Sequence, residues 1–451
     1  MAETSYSDDE RKLVAFVEQV TGGRVTAMRR QPRWRPAWFV DVERDGLLLP
    51  IHIRGDRKSD IMPFPELARE AAIMEVLEEH GIPVPHIYGV CPDPEAIIMA
   101  AIPGSRDVST AGDDAERQSV ARQYVEAMAA MHRLPLEPFV ARGLTLPEGA
   151  DEIALAGLHA YYPMYARRKT GPQPLVEFAI GWLKRNVPKH RTRPSFAHFD
   201  AGQFLFVDGR ITGLYDFEFS MIGDPFADLA TMRMRDSYEP TGDSIANLIR
   251  HYEAVTGEAV DRKVVSYHTA LFSAISAMQI GMAVADPQPG DPHSVYIEWT
   301  LALRLTLAQA LAECTGAEVG LPELPEPTGV PANGLMKMLE DSIAAIPTQK
   351  EAQANQKHLA SRLAEYAARH AVMAEPLERL SRLDAADMLD PGLGDADDFD
   401  VALERFVLAA GPNRESALIG YFLRQTTREM LAYRDTDVGQ SASHVQIAPL
   451  D

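Results

Sequence analysis

Residues 195–230 read SFAHFDAGQFLFVDGRITGLYDFEFSMIGDPFADLA, and they interrupt a chain otherwise patterned for helices. Upstream, VARQYVEAMAAMHRL (120–134) and PLVEFAIGWLKRNV (174–187) repeat apolar residues at helical spacing. Inside the stretch the period falls from about 3.6 to about 2, the spacing of a strand. Phe204-Leu205-Phe206 and Ile211 to Tyr215 read as the arms of a hairpin about Asp208-Gly209. Its flanks carry three acids, Asp200, Asp216 and Glu218.

Phosphoryl transfer needs a carboxylate that orients the attacking hydroxyl and accepts its proton, an oxygen-rich site for Mg²⁺, and cations on the nucleotide phosphates. His198-Phe199-Asp200 can supply the first, Gln203 with Asp216 the second, and the upstream arginines the third. On these residues the stretch resembles the HGDxxxxN loop, the I-D-[FW]-E metal segment and the trailing GDPxxDLA of the aminoglycoside phosphotransferase and choline-kinase-like family. The resemblance continues to Glu70, to a hinge at Met99 to Gly104, and to Ala130-Met131-His132, which is similar to the family's short L-H motif.

What the resemblance implies is an α+β, bilobal protein-kinase-like fold, with an antiparallel-sheet N-lobe, a helical C-lobe and an added C-terminal helical domain. It implies ATP- and Mg²⁺-dependent transfer of the γ-phosphoryl group to a hydroxyl of a small molecule. Asp200 would be the catalytic base, with His198 holding its loop. Asp216 would be the principal Mg²⁺ ligand, aided by Gln203. Glu218, two residues on in a segment read as extended, would share that face and bind a second metal or orient the ligands of the first. Arg54, Glu70, Gly22, Gly23, Met99 and Ala101 would form the nucleotide site. Asp228 would tie the loops together, and Asp224 would cap or turn the chain.

Two departures from the pattern matter. The family has five steps from the catalytic Asp to its metal-binding Asn, whereas Asp200 to Gln203 is three and the Asn is Gln. Counting back from Asp216 still puts Gln203 at the Asn position, and the longer arm offers the same amide oxygen. Altered metal geometry and lost activity both stay open. Arg54 stands where many relatives have Lys; arginine can hold phosphate bidentately.

Working outward, Leu13, Val14, Phe16, Val17 and Val20 predict a helix that stops at Gly22-Gly23, a pair that serves equally as phosphate loop or as plain cap. Strands are expected at Val25 to Met28, Trp38 to Val42, Leu47 to Ile53, Ile87 to Val90 and Ala96 to Met99, with a hairpin at Asp45-Gly46 and a helix over 64–80. Glu70 on that helix either pairs with Arg54 or faces solvent. Residues 24–57 hold eight arginines against four acids, a basic patch of net +4. The run Arg33-Trp34-Arg35-Pro36-Ala37-Trp38 suits phosphate and adenine contact or, equally, two buried strand aromatics. Arg233 and Arg235 could meet an anionic substrate or pair internally. The same choice holds for His159, Tyr161, Tyr162 and Tyr165 with Arg167 and Arg168.

Downstream, GLPELPEPTGVPANG (320–334) marks a boundary, so the expected domains are an N-lobe at 1–102, a C-lobe at 103–325 and a helical domain at 333–451. The acidic DADDFD (395–400) reads as a solvated connection. The 44 basic and 65 acidic residues, net −21, argue against nucleic acid as a partner. No apolar run long enough for a membrane helix is apparent, the N-terminus is unlike a secretion signal, and Cys91 and Cys314 have no metal spacing. These features predict a cytoplasmic enzyme with a small hydroxylated substrate, no membrane partner, and homodimer formation left open. The competing expectation is a nucleotide-binding scaffold whose short loop has ended catalysis and whose tail binds a partner.

Overall fold

The structure is a computed structural model that describes residues 6–31, 35–57, 66–288, 291–318, 320–328, 333–349 and 351–451. Arg33, Trp34, the start of the expected 64–80 helix and residues 329–332 of the expected boundary lie outside the described residues.

Five strands form an antiparallel sheet in the order β1-β2-β3-β5-β4: β1 Arg24–Arg30, β2 Ala37–Arg44, β3 Leu47–Gly55, β4 Ile87–Pro92 and β5 Glu95–Ala100. Asp45 (φ 55°) and Gly46 (φ 75°) turn β2 into β3, the left-handed pair that a two-residue hairpin demands. Trp38, Val40 and Val42 alternate inward along β2, join Ile51 and Ile53 of β3, and are covered by Leu13 and Val17 of helix α1, Asp8–Thr21. Ser7 and Glu10 form a capping box at the start of α1, and Glu10 also accepts the indole N–H of Trp38 at 3.1 Å. Trp38 is thus a core aromatic. Helix α2, Leu67–Glu79, packs on β4 and β5 through Ile73, Met74, Val76 and Leu77.

The 195–230 stretch folds as three-residue β6, Ser195–Ala197, paired with β9, Met221–Gly223, and a hairpin of β7, Phe204–Val207, with β8, Arg210–Leu214. Asp208 and Gly209 repeat the left-handed turn of Asp45-Gly46. Pairing β6 with β9 brings the 198–203 loop and the 215–220 segment to the same end of this small sheet. One correction falls here: residues Phe217–Phe219 form a turn of 3₁₀ helix behind a left-handed Asp216 (φ 67°), not an extended segment, so Asp216 and Glu218 do not share a face by strand alternation.

Contacts group the chain into two compact units, one of residues 1–147, 193–260 and 450–451, the other of 148–192 and 261–449. The first holds every strand named above, together with α3, Asp114–Met131, and the helices Phe226–Asp236 and Ile245–Thr256. The second is helical. There the tail helices Glu351–Met388 and Glu415–Tyr433 share a core with His293–Thr315, where Leu301 and Leu305 meet Met373, Leu377, Met430 and Tyr433. Asp398 of the acidic connection caps the Phe399–Ala409 helix by accepting the N–H of Val401. Among the described residues one helix, Arg262–Ala285, is after all long and apolar enough to span a bilayer; 72% of its most apolar window is buried inside the protein, as in a core helix.

Candidate active site

The 198–203 loop is held by a buried carboxylate. Asp228 accepts the backbone N–H groups of His198 (2.9 Å) and Phe199 (2.7 Å), and pairs with His132 (3.0 Å), whose other ring nitrogen meets the hydroxyl of Tyr252 at 2.8 Å. Burial alone would raise the Asp228 pKa, but the His132 contact and the nearby charge hold it below the ordinary carboxylate value. His198 is fully buried, stacks on Phe217 and reaches the carbonyl of Asp216 at 3.0 Å, so it ties the two acidic segments together.

Asp200 projects from this loop. One carboxylate oxygen takes the amide N–H of Gln203 at 2.6 Å and the other pairs with Arg235. Burial pushes the Asp200 pKa up, with Arg235 opposing. The loop's peptide groups are satisfied from outside it: Ala201 N–H donates to Thr231 (3.0 Å), and Gly202 N–H to the hydroxyl of Tyr124 (2.6 Å).

Across from Asp200 stands an arginine-rich cluster. Arg54 donates to Glu70 (3.0 Å), to Asp216, and to Glu218 (3.1 Å). Arg57 grips both oxygens of Glu218 at 3.0 and 3.1 Å, and Arg35 pairs with it too. Arg69 caps the carbonyls of Glu218 (3.3 Å) and Ser220 (2.5 Å). Glu70 is 1% exposed, so the paired reading of Arg54 and Glu70 replaces the solvent-facing one. The charges act unequally on the acids. Burial would raise Asp216, but Arg54, Arg35 and Arg57 bring it well below the usual carboxylate range, while burial leaves Glu70 raised despite Arg54. Arg57, buried more than its Glu218 contact offsets, is lowered to about 10.

Of the expected nucleotide residues, Arg54 and Glu70 are in this cluster. Gly22 and Gly23 are not: Gly22 (φ 68°) closes α1 with its N–H on Glu18, and Gly23 lies where a Cβ would come 2.5 Å from Val42. Arg24 pairs with Glu43, whereas Arg54 pairs with Ala37, so the glycines sit at the other end of β2, about 20 Å away at strand rise. Met99 is buried in β5 between His52 and Ile87, and the Ala101 N–H is taken by Pro50 at 3.0 Å. In the second unit Tyr161 and Tyr165 are buried and His159, Arg167 and Arg168 are exposed.

The residues were tested against Mg²⁺ by donor chemistry. Mg²⁺ takes hard oxygen donors, commonly one or two carboxylates completed by substrate phosphates and water. Asp216, kept ionised and partly open at 22% exposure of its side chain, suits that role. So does the Gln203 amide oxygen, since its N–H₂ is the side turned to Asp200. Glu218 does not, because three guanidiniums occupy its carboxylate. Among the described residues no group of three or more His, Cys, Asp or Glu could hold a metal.

What sequence reasoning missed is the partner of Arg235, and the destination of Arg35 and Arg57. The only signal for the latter was the +4 patch, from which Arg35, Arg54 and Arg57 turn inward to acids of a segment more than 150 positions away.

Comparison with known proteins follows this geometry. The model of the phosphotransferase enzyme family (APH) matches residues 54–263. Acyl-CoA dehydrogenase family member 10 of Mus musculus is 26% identical over 175 residues, 36% of this chain and 16% of that protein. Family member 11 of Homo sapiens is 25% identical over 177 residues, 37% of this chain and 22% of it, so the match spans under a quarter of either relative. A solved structure from Ralstonia eutropha, provisionally called an aminoglycoside phosphotransferase, aligns over 68% of this chain and 99% of that one with a TM-score of 0.52 and 19% identity. The likeness is one of fold: an α+β kinase-like fold with C-terminal helices beyond its reach. A thermostable mutant aminoglycoside phosphotransferase, solved as a ternary complex with ADP and hygromycin B, aligns over 68% of this chain at 14% identity and a TM-score of 0.42.

Proposed function

We propose, from the match of the phosphotransferase enzyme family model to residues 54–263, that the chain is a small-molecule kinase of that family, moving the γ-phosphoryl group of ATP to a hydroxyl. The observation that carries the reading is the placement of Asp200: half-buried, fixed at both oxygens, and distinct from a second acidic position whose charge is stabilised by arginines. In this account Asp200 orients the acceptor hydroxyl and takes its proton as the oxygen bonds to phosphorus and ADP departs. Asp216 and the Gln203 amide oxygen would hold Mg²⁺, which when bound neutralises charge on the phosphates. Arg54, braced by Glu70, faces the same place and would bind phosphate. Glu218 is an anchor for Arg35, Arg54 and Arg57, not a ligand. His198 and Asp228 position the loop.

Arg235 is committed to Asp200, Ala201 and Glu239, so it gives no reason to expect an anionic acceptor. The acceptor class is therefore a hydroxylated small molecule of unspecified charge. The test is ADP release from Mg·ATP by the purified full chain with a panel of hydroxylated metabolites and antibiotics. Acceptor-dependent ADP, with phosphate recovered on the acceptor, is the expected result. Nucleotide binding with no turnover on any acceptor would overturn the proposal in favour of a nucleotide-binding scaffold.

A further inference from the structure

We propose that Arg235 is the positioning residue that lets the three-step Asp200–Gln203 loop work, an assignment that rests on the phosphotransferase reading above. Only Ala201 and Gly202 separate Asp200 from Gln203, so within the loop the Gln203 amide reaches one oxygen of Asp200 and the other is held from outside it. The Phe226–Asp236 helix supplies the missing support. Arg235, 7% exposed, donates from Nε to the carbonyl of Ala201 at 3.1 Å and from Nη2 to the nearer oxygen of Asp200. Its remaining terminal nitrogen, Nη1, meets Glu239 at 3.0 Å, and Glu239 in turn takes Nε of Arg106 at 2.6 Å. One planar fork therefore fixes the carboxylate against the peptide that carries it, and is itself braced at its outer end.

The glycine beside it is part of the same device. Gly202 has φ +96°, and a Cβ there would lie 2.8 Å from Cδ of Arg235. The arginine arm thus crosses the space a side chain would fill, and the loop turns beneath it in a conformation that glycine adopts freely. Thr231 from the same helix and Tyr124 from α3 take the two N–H groups of the connecting peptides, while Gln203 takes the second oxygen of Asp200. Lysine, a point charge without the fork, could reach Asp200 or Ala201 but would not fix one relative to the other.

The test uses the full chain in two arms. Hydrogen exchange is compared for wild type, Arg235→Ala and Arg235→Lys without acceptor. The amides of residues 200–205 are expected to exchange about tenfold faster in Arg235→Ala, with β1–β5 unchanged; unchanged exchange at 200–205 overturns the proposal. This arm needs no turnover, so it decides Arg235 even if the phosphotransferase reading fails for want of any acceptor. In the kinetic arm, a displacement of the carboxylate by about 1 Å predicts a kcat lower by about a hundredfold. KM for Mg·ATP should hold, and added guanidinium should restore part of the rate to Arg235→Ala. An unchanged kcat, or a loss confined to KM, would overturn it. Should Arg235→Ala fail to fold, Glu239→Gln loosens the outer brace and is expected to show the same signature at smaller amplitude; wild-type exchange and kcat in that variant would overturn it equally.

Discussion

The acidic loop at Asp200 and the acidic segment at Asp216 to Glu218 lie in one compact unit, yet they are held in opposite ways. Asp200 has a single arginine, and burial raises its pKa. Asp216 is acted on by Arg54, Arg35 and Arg57, which lower its pKa against burial. Environments that push two carboxylates apart separate a proton acceptor from a permanently ionised group. The difference comes from chain topology: Arg35, Arg54 and Arg57 all belong to the β-sheet region, and all converge on Glu218 rather than on Asp200.

The sharpest way to break that contrast is to remove the acid that gathers the arginines. Glu218→Gln removes the carboxylate that Arg35, Arg54 and Arg57 share, and removing one partner of a buried ion pair costs about 3–5 kcal/mol. Denaturant unfolding of the variant should show a loss in that range; a loss below about 1 kcal/mol would mean the cluster is not held by Glu218.

Asp228 links the two regions, since it fixes His198, which reaches the Asp216 carbonyl. Asp228→Asn should cost about 1–3 kcal/mol, the desolvation cost of leaving buried donors poorly matched. The pH dependence has a defined sign. The folded pKa of Asp228 lies below its unfolded value, so the carboxylate contributes stability above about pH 4, lost as pH falls through the folded pKa. The stability gap between wild type and Asp228→Asn should narrow on acidification below about pH 4, measured by urea unfolding at stepped pH.

The smallest effect is expected at the far end of the sheet. Gly22→Ala meets nothing within 4 Å, so only its left-handed backbone is penalised, by about 1–2 kcal/mol. Nucleotide affinity should be unaffected. A variant with normal stability and weakened nucleotide binding would restore Gly22 to the phosphate site.

The five strands of the larger sheet, both Asp-Gly hairpins and the acids of 195–230 were legible because alternation and left-handed turn residues are local signals; the three-residue β6 and β9 were not. The pairing of Arg54 with Glu70 could be anticipated from resemblance alone. The 3₁₀ turn at Phe217–Phe219 was not legible, because three residues carry too little periodicity to tell a turn from a strand. Nor were the contacts of Arg35 and Arg57 with Glu218 and of Arg235 with Asp200: each spans 35 or more positions, and a sequence gives no distance across such gaps. The cap role of Gly22 was one of two readings that the glycine pair allowed equally, and only strand register separates them.

The most direct test of the central claim is the Asp200→Asn chain beside wild type, with Mg·nucleotide affinity and acceptor phosphorylation measured on the same preparations. The account predicts intact nucleotide affinity and a phosphorylation rate reduced by about 10²–10⁴, the usual contribution of a general base. Phosphorylation at the wild-type rate in Asp200→Asn would contradict it.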